Sequence, residues 1–323
     1  MLNSDWRPTA SRQAIIARAD LQHQIRAFFR ERQVLEVETP VLCRAGVTDV
    51  HLVNAVTRLQ GQGLAKKTNY YFQTSPEYPM KRLLAAGVGD CFQLCKVVRD
   101  EELSARHNFE FTMLEWYRLG FDDQQLMTEL EELMIELLGT SAANRLSYQQ
   151  AFLSALNIDP LVATAAEVAN AIRAKGIDCE VVADDLDGLL NLAMSLIVEP
   201  QLDPNIPTFV YHFPASQAVL ARTNEQDDRV AHRFELFYQG LELANGFWEL
   251  ADAFEQRQRF ERDNRQRAEL GLPQIDIDER LLSALESGFP DCAGVAVGVD
   301  RLLMIKLGMK HIDEVLTFPS LRA

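Results

Sequence analysis

The chain has 323 residues, of which 47% are hydrophobic and 24% are charged. This balance is typical of soluble globular proteins, and the length allows one large domain or two smaller ones. No segment approaches the roughly 18 to 20 apolar residues of a membrane span, so we expect a cytoplasmic protein without a membrane segment. The formal net charge of −15 disfavours attraction to a polyanion, which makes tRNA or DNA a less expected partner.

The N-terminus and the cysteines agree with a cytoplasmic location. The first eight residues lack the basic region and apolar run that mark a secretory signal. The number of cysteines is odd and their spacing does not resemble a disulfide framework, so we expect reduced thiols in the core. They are Cys43, Cys91, Cys95, Cys179 and Cys292.

The first predicted elements are an amphipathic helix and a strand. Between Ser11 and Arg32, apolar residues recur at helical spacing among polar ones. Residues 34–39 then alternate apolar and charged side chains, and Pro40 ends this pattern because it lacks the N–H that a central strand needs. A β-rich block is predicted from about 70 to 117.

The middle of the chain is predicted to be helical. Residues 121–138 place Leu126, Leu130, Leu133 and Leu137 along one stripe, which indicates a helix. Between about 147 and 200, short helical patterns are broken by turn-forming residues. We interpret this stretch as a helical insertion within a single catalytic domain that spans residues 1–323.

Strand character resumes in the last third of the chain. A strand is predicted at 208–213, followed by a hairpin whose turn is Gln239–Gly240. A helix is predicted from about 253 to 270, and a glycine-spaced strand then leads into a helix at 300–307.

The sequence has no standard glycine-rich phosphate loop. Neither a P-loop nor a dinucleotide fingerprint is present, and residues 61–68 are only a near miss. If the protein binds ATP, side chains must therefore hold it.

The first group of candidate site residues lies between 95 and 117, where two strands are predicted on either side of a polar loop. Period two places Arg99 and Glu101 on one face of the first strand. Arginine suits phosphate because its planar fork donates two hydrogen bonds, and an aromatic ring can stack on a purine. A solvated hairpin with scattered charge pairs would explain the same pattern. The residues predicted to share a face of the second strand are Phe111, Met113, Glu115 and Tyr117.

The second group lies on the predicted hairpin. If Tyr238 pairs with Leu241, Glu235 opposes Ala244 and lies diagonal to Glu242. Two carboxylates so placed can share Mg²⁺, which commonly takes one or two carboxylates together with substrate phosphates. An exposed sheet face with two unrelated glutamates is the alternative.

The third group is the glycine-spaced strand at 294–298 and the start of the following helix. Small residues let a ligand approach the backbone, and Arg301 would lie in the first helical turn. The same pattern also fits tight packing of a helix on a sheet.

In this order, the segments resemble the catalytic domain of class II aminoacyl-tRNA synthetases over almost the whole chain. The helix and strand ending at Pro40 resemble the first motif, which builds a dimer interface, while 99–117 and 294–301 resemble the second and third. The resemblance implies a homodimer and an α/β (α+β) fold, with an antiparallel sheet flanked by helices and a helical insertion between the second and third motifs. Segments similar to the lysyl-tRNA synthetase branch are 75–77, 99–101, 106–108, 209–215, 245–247 and Glu249.

The resemblance also implies ATP and Mg²⁺ as cofactors. Arg99 would bind the α-phosphate, Arg106 and Arg301 the outer phosphates, and Phe111 and Arg301 would sandwich adenine. Glu101 and Asn108 would contact the base, and Glu235 and Glu242 would bind Mg²⁺. Arg99 and Arg301 would be catalytic. The full set of implied ATP contacts is Arg99, Asp100, Glu101, Arg106, His107, Asn108, Phe111, Glu242, Leu243, Gly298 and Arg301.

Acidic residues at both ends of the implied amino-acid pocket suit a substrate with two ammonium groups. Glu77 would meet the amino group near the carboxylate. Four residues, Glu115, Tyr117, Asn245 and Glu249, would hold the far end of a lysine-like side chain. The remaining implied contacts are Ser75, Pro76 and Ala296.

Two departures from the synthetases narrow the expected function. The first motif begins within about the first 40 residues, so we expect no anticodon-binding domain. Ser75 and Ala296 stand where the synthetases usually have alanine and glycine, so we expect an amino acid that differs from α-lysine near its carboxylate.

With these departures, the chain closely resembles the family of elongation factor P (R)-β-lysine ligases. That resemblance implies β-lysine and elongation factor P as partners rather than tRNA. The adenylate would react with a protein lysine. The alternatives are a minimal lysyl-tRNA synthetase-like enzyme, a small-molecule amide synthetase, and a regulatory subunit that senses an amino acid.

Overall fold

The computed structural model describes residues 6–61 and 68–323. Most of the near-miss phosphate loop at 61–68 therefore lies outside the described residues, as do the first five residues of the chain. The helices are α1 (Arg12–Glu31), α2 (Glu77–Ala85), α3 (Asp123–Leu138), α4 (Tyr148–Leu156), α5 (Ala165–Ala174), α6 (Leu186–Ala193), α7 (Ala253–Glu269), α8 (Glu279–Glu286) and α9 (Val299–Leu307). The strands are β1 (Leu35–Glu36), β2 (Leu42–Cys43), β3 (Val56–Leu59), β4 (Thr68–Phe72), β5 (Cys91–Val98), β6 (Glu110–Leu119), β7 (Asn144–Ser147), β8 (Thr208–Pro214), β9 (Val230–Tyr238), β10 (Leu241–Trp248) and β11 (Cys292–Gly298).

None of the helices in these ranges combines the length and the apolar character needed to cross a bilayer. The chain divides into two compact units, one of Met1–Gly120 with Ala251–Ala323 and one of Phe121–Leu250. The division does not test whether these units form one catalytic domain with an insertion, so that organisation stays a prediction.

The first unit is built on the strand order β1, β5, β6, β11. β1 runs parallel to β5, whereas β5 and β11 both run antiparallel to β6. The amphipathic helix α1 buries its apolar stripe, and the ring of Phe29 stacks on Phe92 of β5 at 4.5 Å and tilts against Trp116 of β6 at 5.2 Å. These buried rings fix α1 on the sheet that carries several candidate site residues.

Of three predictions for the first unit, one is confirmed and two are corrected. The predicted first helix is present, and the Oγ of Ser11 caps it by accepting a hydrogen bond from the Ala14 N–H at 3.1 Å. The strand predicted at 34–39 contains only Leu35–Glu36, because just these residues pair in register with β5. The β-rich block predicted from about 70 to 117 is interrupted by α2.

The second unit has the strand order β7, β8, β9, β10, in which β8, β9 and β10 are antiparallel and β7 is parallel to β8. The predicted helical character of 147–200 is confirmed by α4, α5 and α6. α4 packs against β8, where Tyr148 stacks on Phe152 at 4.5 Å and meets Phe213 of β8 at 4.8 Å. All four leucines of the predicted α3 stripe are buried.

The predicted hairpin is present, but its register is not the predicted one. Gln239 and Gly240 both have positive φ, as a type I′ turn requires, and Tyr238 pairs with Leu241. A bulge between Glu242 and Ala244 then shifts the pairing by one residue, so that Glu235 opposes Asn245. The predicted opposition of Glu235 and Ala244 was therefore wrong.

Candidate active site

The centre of the first unit's sheet carries a buried carboxylate. Glu115, in the middle of β6, is only 2% exposed. Ser75 donates a hydrogen bond from Oγ to Glu115 Oε2 at 2.6 Å, and Tyr117 donates from its hydroxyl to Oε1 at 2.7 Å. Ala296 of β11 pairs with Glu115 in register. The two positions at which the sequence departs from the synthetases, Ser75 and Ala296, are thus both neighbours of Glu115: Ser75 contacts its carboxylate and Ala296 pairs with the residue across the strands.

A second carboxylate stands at the start of α2. Pro76 occupies the N-cap position, and the backbone N–H of Glu77 donates to Ser75 Oγ at 3.0 Å. Lys81, one helical turn later, donates from Nζ to Glu77 Oε1 at 2.7 Å and is only 1% exposed. Sequence analysis missed Lys81, although a Glu–Lys pair four residues apart is the usual signal for such a contact on a helix.

Glu115 gains or loses its proton near neutral pH. Burial raises the pKa of Glu115 to about 7, and the nearby charge of Glu77 pushes it in the same direction. The hydrogen bonds from Ser75 and Tyr117 act against this rise because they favour the ionised form. An approaching ammonium group would favour ionisation further, so Glu115 is suited to binding one.

Arg99 lies directly after β5, next to an aromatic ring. Its guanidinium carbon is 5.3 Å from the centroid of Phe111 in β6, and Nε donates to the carbonyl of Thr74 at 3.3 Å. One guanidinium nitrogen is also 3.8 Å from a carboxylate oxygen of Glu102. The structure therefore brings together the arginine and the ring predicted to contact phosphate and adenine.

The prediction that Arg99 and Glu101 share a strand face was wrong. β5 ends at Val98, and Glu101 adopts a left-handed φ of 63°. The backbone N–H of Asp100 donates to the carbonyl of Val53, and Asp100 Oδ1 accepts from the Glu101 N–H at 2.9 Å. The side chains of Asp100 and Glu101 are exposed at this turn. Strand alternation therefore does not extend from Arg99 to Glu101.

The loop between β5 and β6 meets the start of α9. Arg301 donates from Nη2 to His107 Nε2 at 2.7 Å, and Ser104 Oγ lies 2.8 Å from His107 Nδ1. Gly298 is the N-cap residue of α9, and Arg106 is exposed on the loop. Arg301 and His107, both predicted ATP contacts, are thus direct neighbours.

Asn108, a further predicted contact, is held by the protein backbone. It is 3% exposed, its amide nitrogen donates to the carbonyl of Glu110 at 2.6 Å, and its oxygen accepts from the Ser320 N–H at 2.9 Å. These contacts fix the end of the loop. Its predicted contact with the base stays a prediction.

Asp300 is a supporting residue that sequence analysis missed. Its carboxylate is buried, accepts from the Thr112 N–H of β6 at 2.7 Å and forms an ion pair with Arg18 of α1. Arg18 also donates to the carbonyl of Val315 at 2.9 Å. Asp300 therefore fastens the first turn of α9 to the strand that carries Phe111, and so helps to position Arg301.

The second unit carries its own group of predicted site residues, on the β9–β10 hairpin. Arg233 donates to Glu235 Oε1 and, through Nε, to Asn245 Oδ1 at 3.3 Å. A third donation runs from Arg233 Nη1 to the carbonyl of Gln217 at 2.8 Å. Sequence analysis named Glu235 and Asn245 but missed the arginine that holds both.

The donors on this hairpin fit a hard divalent cation. Burial raises the pKa of Glu235 to about 7, Arg233 opposes the rise, and the neighbouring charge of Glu242 adds to it. A buried carboxylate beside another is stabilised by a cation, and carboxylate oxygens are ligands that Mg²⁺ prefers. Of the other predicted residues, Leu243 and Glu249 are buried, and the backbone oxygen of Glu249 accepts from the Arg222 side chain at 3.2 Å.

Close packing requires glycine next to Asn245. A Cβ built at Gly246 would lie 2.3 Å from Cζ of Phe234 on the paired strand. Real Cβ atoms do not approach an aromatic carbon so closely, so the ring of Phe234 can keep its place only beside glycine. Packing against Phe234 therefore explains the glycine at the centre of residues 245–247, the Asn-Gly-Phe segment similar to the lysyl-tRNA synthetases.

Comparison with known proteins identifies the family of the chain. The model of the family "tRNA synthetases class II (D, K and N)" matches residues 3–322. The chain belongs to this family of class II synthetases, which confirms the predicted fold class.

The similar proteins give a more specific functional class than the family model does. Over 321 residues, 98% of this chain and 98% of the relative, the chain is 52% identical to the elongation factor P–(R)-β-lysine ligase of Salmonella typhi. The protein of the same name from Salmonella gallinarum (strain 287/91 / NCTC 13346) is also 52% identical over 98% of both chains. The resemblance predicted from the motifs is confirmed.

Proposed function

We propose that the chain is an ATP-dependent ligase that activates (R)-β-lysine as an adenylate and transfers it to the ε-amino group of a lysine on elongation factor P. The observation that carries this proposal is the 52% identity over 98% of both chains to ligases of that name. The function predicted from the motifs is the same one.

The carboxylates of the first unit would select the donor. β-Lysine carries two ammonium groups, and Glu77 and Glu115 are two carboxylates within reach of each other's charge. Lys81 fixes Glu77, while Ser75 and Tyr117 fix Glu115. A site with hydrogen-bonded carboxylates discriminates strongly against amino acids that lack a matching ammonium, because its buried polar groups would then be left unpaired.

Arg99 and Arg301 would promote adenylate formation. A carboxylate oxygen of β-lysine attacks the α-phosphorus of ATP, and pyrophosphate leaves. Arg99 would bind the α-phosphate where negative charge develops, and Arg301 the outer phosphates. Phe111, beside Arg99, offers a face on which adenine can stack. Mg²⁺ bound by Glu235 and Glu242 would neutralise phosphate charge.

Transfer to the acceptor would need no covalent enzyme intermediate. The adenylate is a mixed anhydride, so a neutral ε-amine can attack its carbonyl carbon, form the amide and release AMP. Cys91 and Cys95 of β5 are poor nucleophiles, since burial raises the pKa of each thiol to about 12 and keeps it protonated. The acceptor amine can therefore attack the adenylate directly.

A homodimer is part of the proposal. The first motif of the family builds a dimer interface, and the segment that resembles it carries exposed apolar side chains. These are Ile15 and Ile16 of α1 and Leu35 of β1, exposed by 38%, 43% and 54%. Sedimentation of the purified protein should give twice the chain mass, and a monomer at micromolar concentration would contradict this part.

The donor step is tested by amino-acid-dependent pyrophosphate exchange with α-lysine and the two enantiomers of β-lysine. We expect exchange to be fastest with (R)-β-lysine and to require Mg²⁺. Exchange driven equally well by α-lysine would contradict the proposed donor. No exchange with any of the three would favour the alternative of a regulatory subunit.

The acceptor step is tested separately, with adenylate formation established first. Elongation factor P, tRNA and ammonia are each offered as the acceptor with labelled (R)-β-lysine and ATP. The proposal expects label on elongation factor P. Label on tRNA or on ammonia instead would support the minimal synthetase or the amide synthetase while leaving the donor step intact.

A further inference from the structure

The second unit contains a cluster of metal-ligating side chains that the proposed reaction does not use. Asp123 opens α3, His212 lies in β8 and His232 lies in β9. One ligand atom from each residue lies within 4.8 Å of those of the other two. We propose that these three side chains bind one Zn²⁺ ion, which joins the start of α3 to the two strands. The following paragraphs call these three residues the Asp-His-His cluster.

The distances suit a single ion. His232 Nδ1 is 3.1 Å from Asp123 Oδ1. Ligand bonds of about 2.0 to 2.1 Å in a tetrahedral zinc site place neighbouring ligand atoms about 3.4 Å apart. Two of the three ligands therefore already have the spacing of a shared ion. The ligand atom of His212 lies within 4.8 Å of both.

An irregularity in the β8 backbone determines the orientation of His212 relative to His232. A bulge interrupts the pairing of β8 with β9 between Tyr211 and Phe213, and His212 adopts a left-handed φ of 60°. Regular alternation along β8 is thereby broken at one residue. As a result, the centroids of the His212 and His232 rings lie 5.5 Å apart, close enough for one nitrogen of each to reach a common ion.

The donor set matches the proposed metal. Two imidazoles and one carboxylate are a common zinc ligand set, with a water molecule in the fourth position. Asp123 is only 2% exposed, and a buried carboxylate needs a partner of opposite charge. A divalent cation bound at the cluster would supply that opposite charge.

Aromatic side chains hold the two imidazoles in place. The ring of Tyr211 meets His212 edge-on at 4.8 Å, and Trp248 of β10 meets His232 edge-on at 4.8 Å. The guanidinium of Arg222 lies over Trp248 at 4.1 Å. Fixed ligand orientation raises metal affinity. These contacts also make Trp248 a reporter of events at His232.

The test is a titration of the full-length protein with Co²⁺ and Zn²⁺ after treatment with a chelator. We expect one equivalent of Co²⁺ to give the visible absorption of a tetrahedral site without a thiolate charge-transfer band, and to quench Trp248 fluorescence. Zn²⁺ should displace it. Trp248→Phe should remove the quenching but keep the absorption, which separates reporting from binding.

Ligand variants decide whether the Asp-His-His cluster is the site. His212→Gln and His232→Gln should each weaken Co²⁺ binding more than tenfold, and the double variant should lose the visible band. His23→Gln, on the exposed face of α1, is the matched control and should bind normally. Glu242→Gln should also keep the band, since it alters only the proposed Mg²⁺ ligands.

Two results would overturn the proposal. One is the absence of a stoichiometric Co²⁺ band in the wild-type protein; the other is an unchanged band in the His212→Gln/His232→Gln double variant. Far-UV circular dichroism and a cooperative urea unfolding transition show whether each variant is folded, and pyrophosphate exchange gives the same check for the histidine variants only. If the folded wild-type protein binds no metal, the cluster consists only of the Asp123–His232 hydrogen bond and the ring contact between His212 and His232.

Discussion

Two regions of the first unit differ in how their charged side chains are held. The Glu115 region is buried in the sheet, and each carboxylate oxygen accepts a short hydrogen bond, from Ser75 or from Tyr117. The Arg99 region lies where β5 gives way to a loop. There the guanidinium is half-buried, and its contacts with Thr74 and Glu102 are 3.3 and 3.8 Å long.

This difference matches two kinds of ligand group. An amino acid is recognised by fixed hydrogen-bonding groups, so its site gains from being formed before the ligand binds. Phosphate charge moves and grows during the reaction, and arginines with loose protein contacts can exchange those contacts for phosphate oxygens. Substitutions in the Arg99 region should therefore slow activation of every amino acid, whereas substitutions in the Glu115 region should change which amino acid is activated.

The largest effect is expected for Arg99→Ala. Loss of one electrostatic donor at the α-phosphate should lower pyrophosphate exchange about 10²- to 10³-fold, by the same factor for (R)-β-lysine and α-lysine. Arg173→Ala, which removes an exposed arginine of α5, is the control. If exchange with Arg99→Ala stayed within twofold of wild type, the role assigned to Arg99 would be wrong.

A smaller and more selective effect is expected for Glu115→Gln. Replacing a charged acceptor by a neutral one should raise the KM for (R)-β-lysine roughly 10- to 150-fold while leaving the KM for ATP nearly unchanged. The measurement is pyrophosphate exchange with each substrate varied in turn. A rise in both KM values alike would mean that the two regions are not functionally distinct.

The third prediction concerns the two neighbours of Glu115. Ser75→Ala together with Ala296→Gly restores the residues usual in the synthetases and should shift the preference from (R)-β-lysine toward α-lysine about tenfold, the scale of small changes in a pocket. Competition between the two labelled amino acids measures the ratio of kcat/KM. Leu196→Ala, an exposed site in the second unit, should leave the ratio unaltered.

The last prediction concerns stability, which should depend on pH through Glu115. The pKa of Glu115 is raised from 4.5 to about 7, so the folded protein keeps a proton that the unfolded chain releases between those values. The contribution of Glu115 to the free energy of unfolding therefore falls as pH rises from 4.5 to 7 and is level above that.

Because glutamine does not ionise, the stability of Glu115→Gln relative to wild type should increase by about 1 to 3 kcal/mol between pH 4.5 and pH 8. Urea unfolding of both proteins at the two pH values measures this change. An identical difference at both values would show that Glu115 ionises normally in the folded protein.

Local sequence patterns predicted the elements whose cause is local. Helical spacing identified α1 and the buried stripe of α3, and Gln239–Gly240 identified the hairpin because a type I′ turn demands positive φ at both positions. Period two placed Glu115 and Tyr117 on one face of β6, where they do share a hydrogen bond.

Features that depend on pairing between distant segments could not be predicted in this way. The bulge that sets Glu235 against Asn245 and the left-handed turn at Glu101 interrupt strand alternation without a glycine to mark them. α2 is short and contains Pro79 in its first turn, so it was included in a β-rich block. The four-residue spacing of Glu77 and Lys81 is a usable signal only after α2 is recognised as a helix. The role of Arg233 became visible only once the side chains of Glu235 and Asn245 were placed.

The most direct test of the account is the intact mass of elongation factor P after incubation with the protein, ATP, Mg²⁺ and isotopically labelled (R)-β-lysine. The account predicts one added β-lysyl group, held through an amide on a lysine side chain, and a rate of addition about 10²- to 10³-fold lower with Arg99→Ala. An unmodified elongation factor P under conditions in which pyrophosphate exchange shows that the adenylate forms would contradict it.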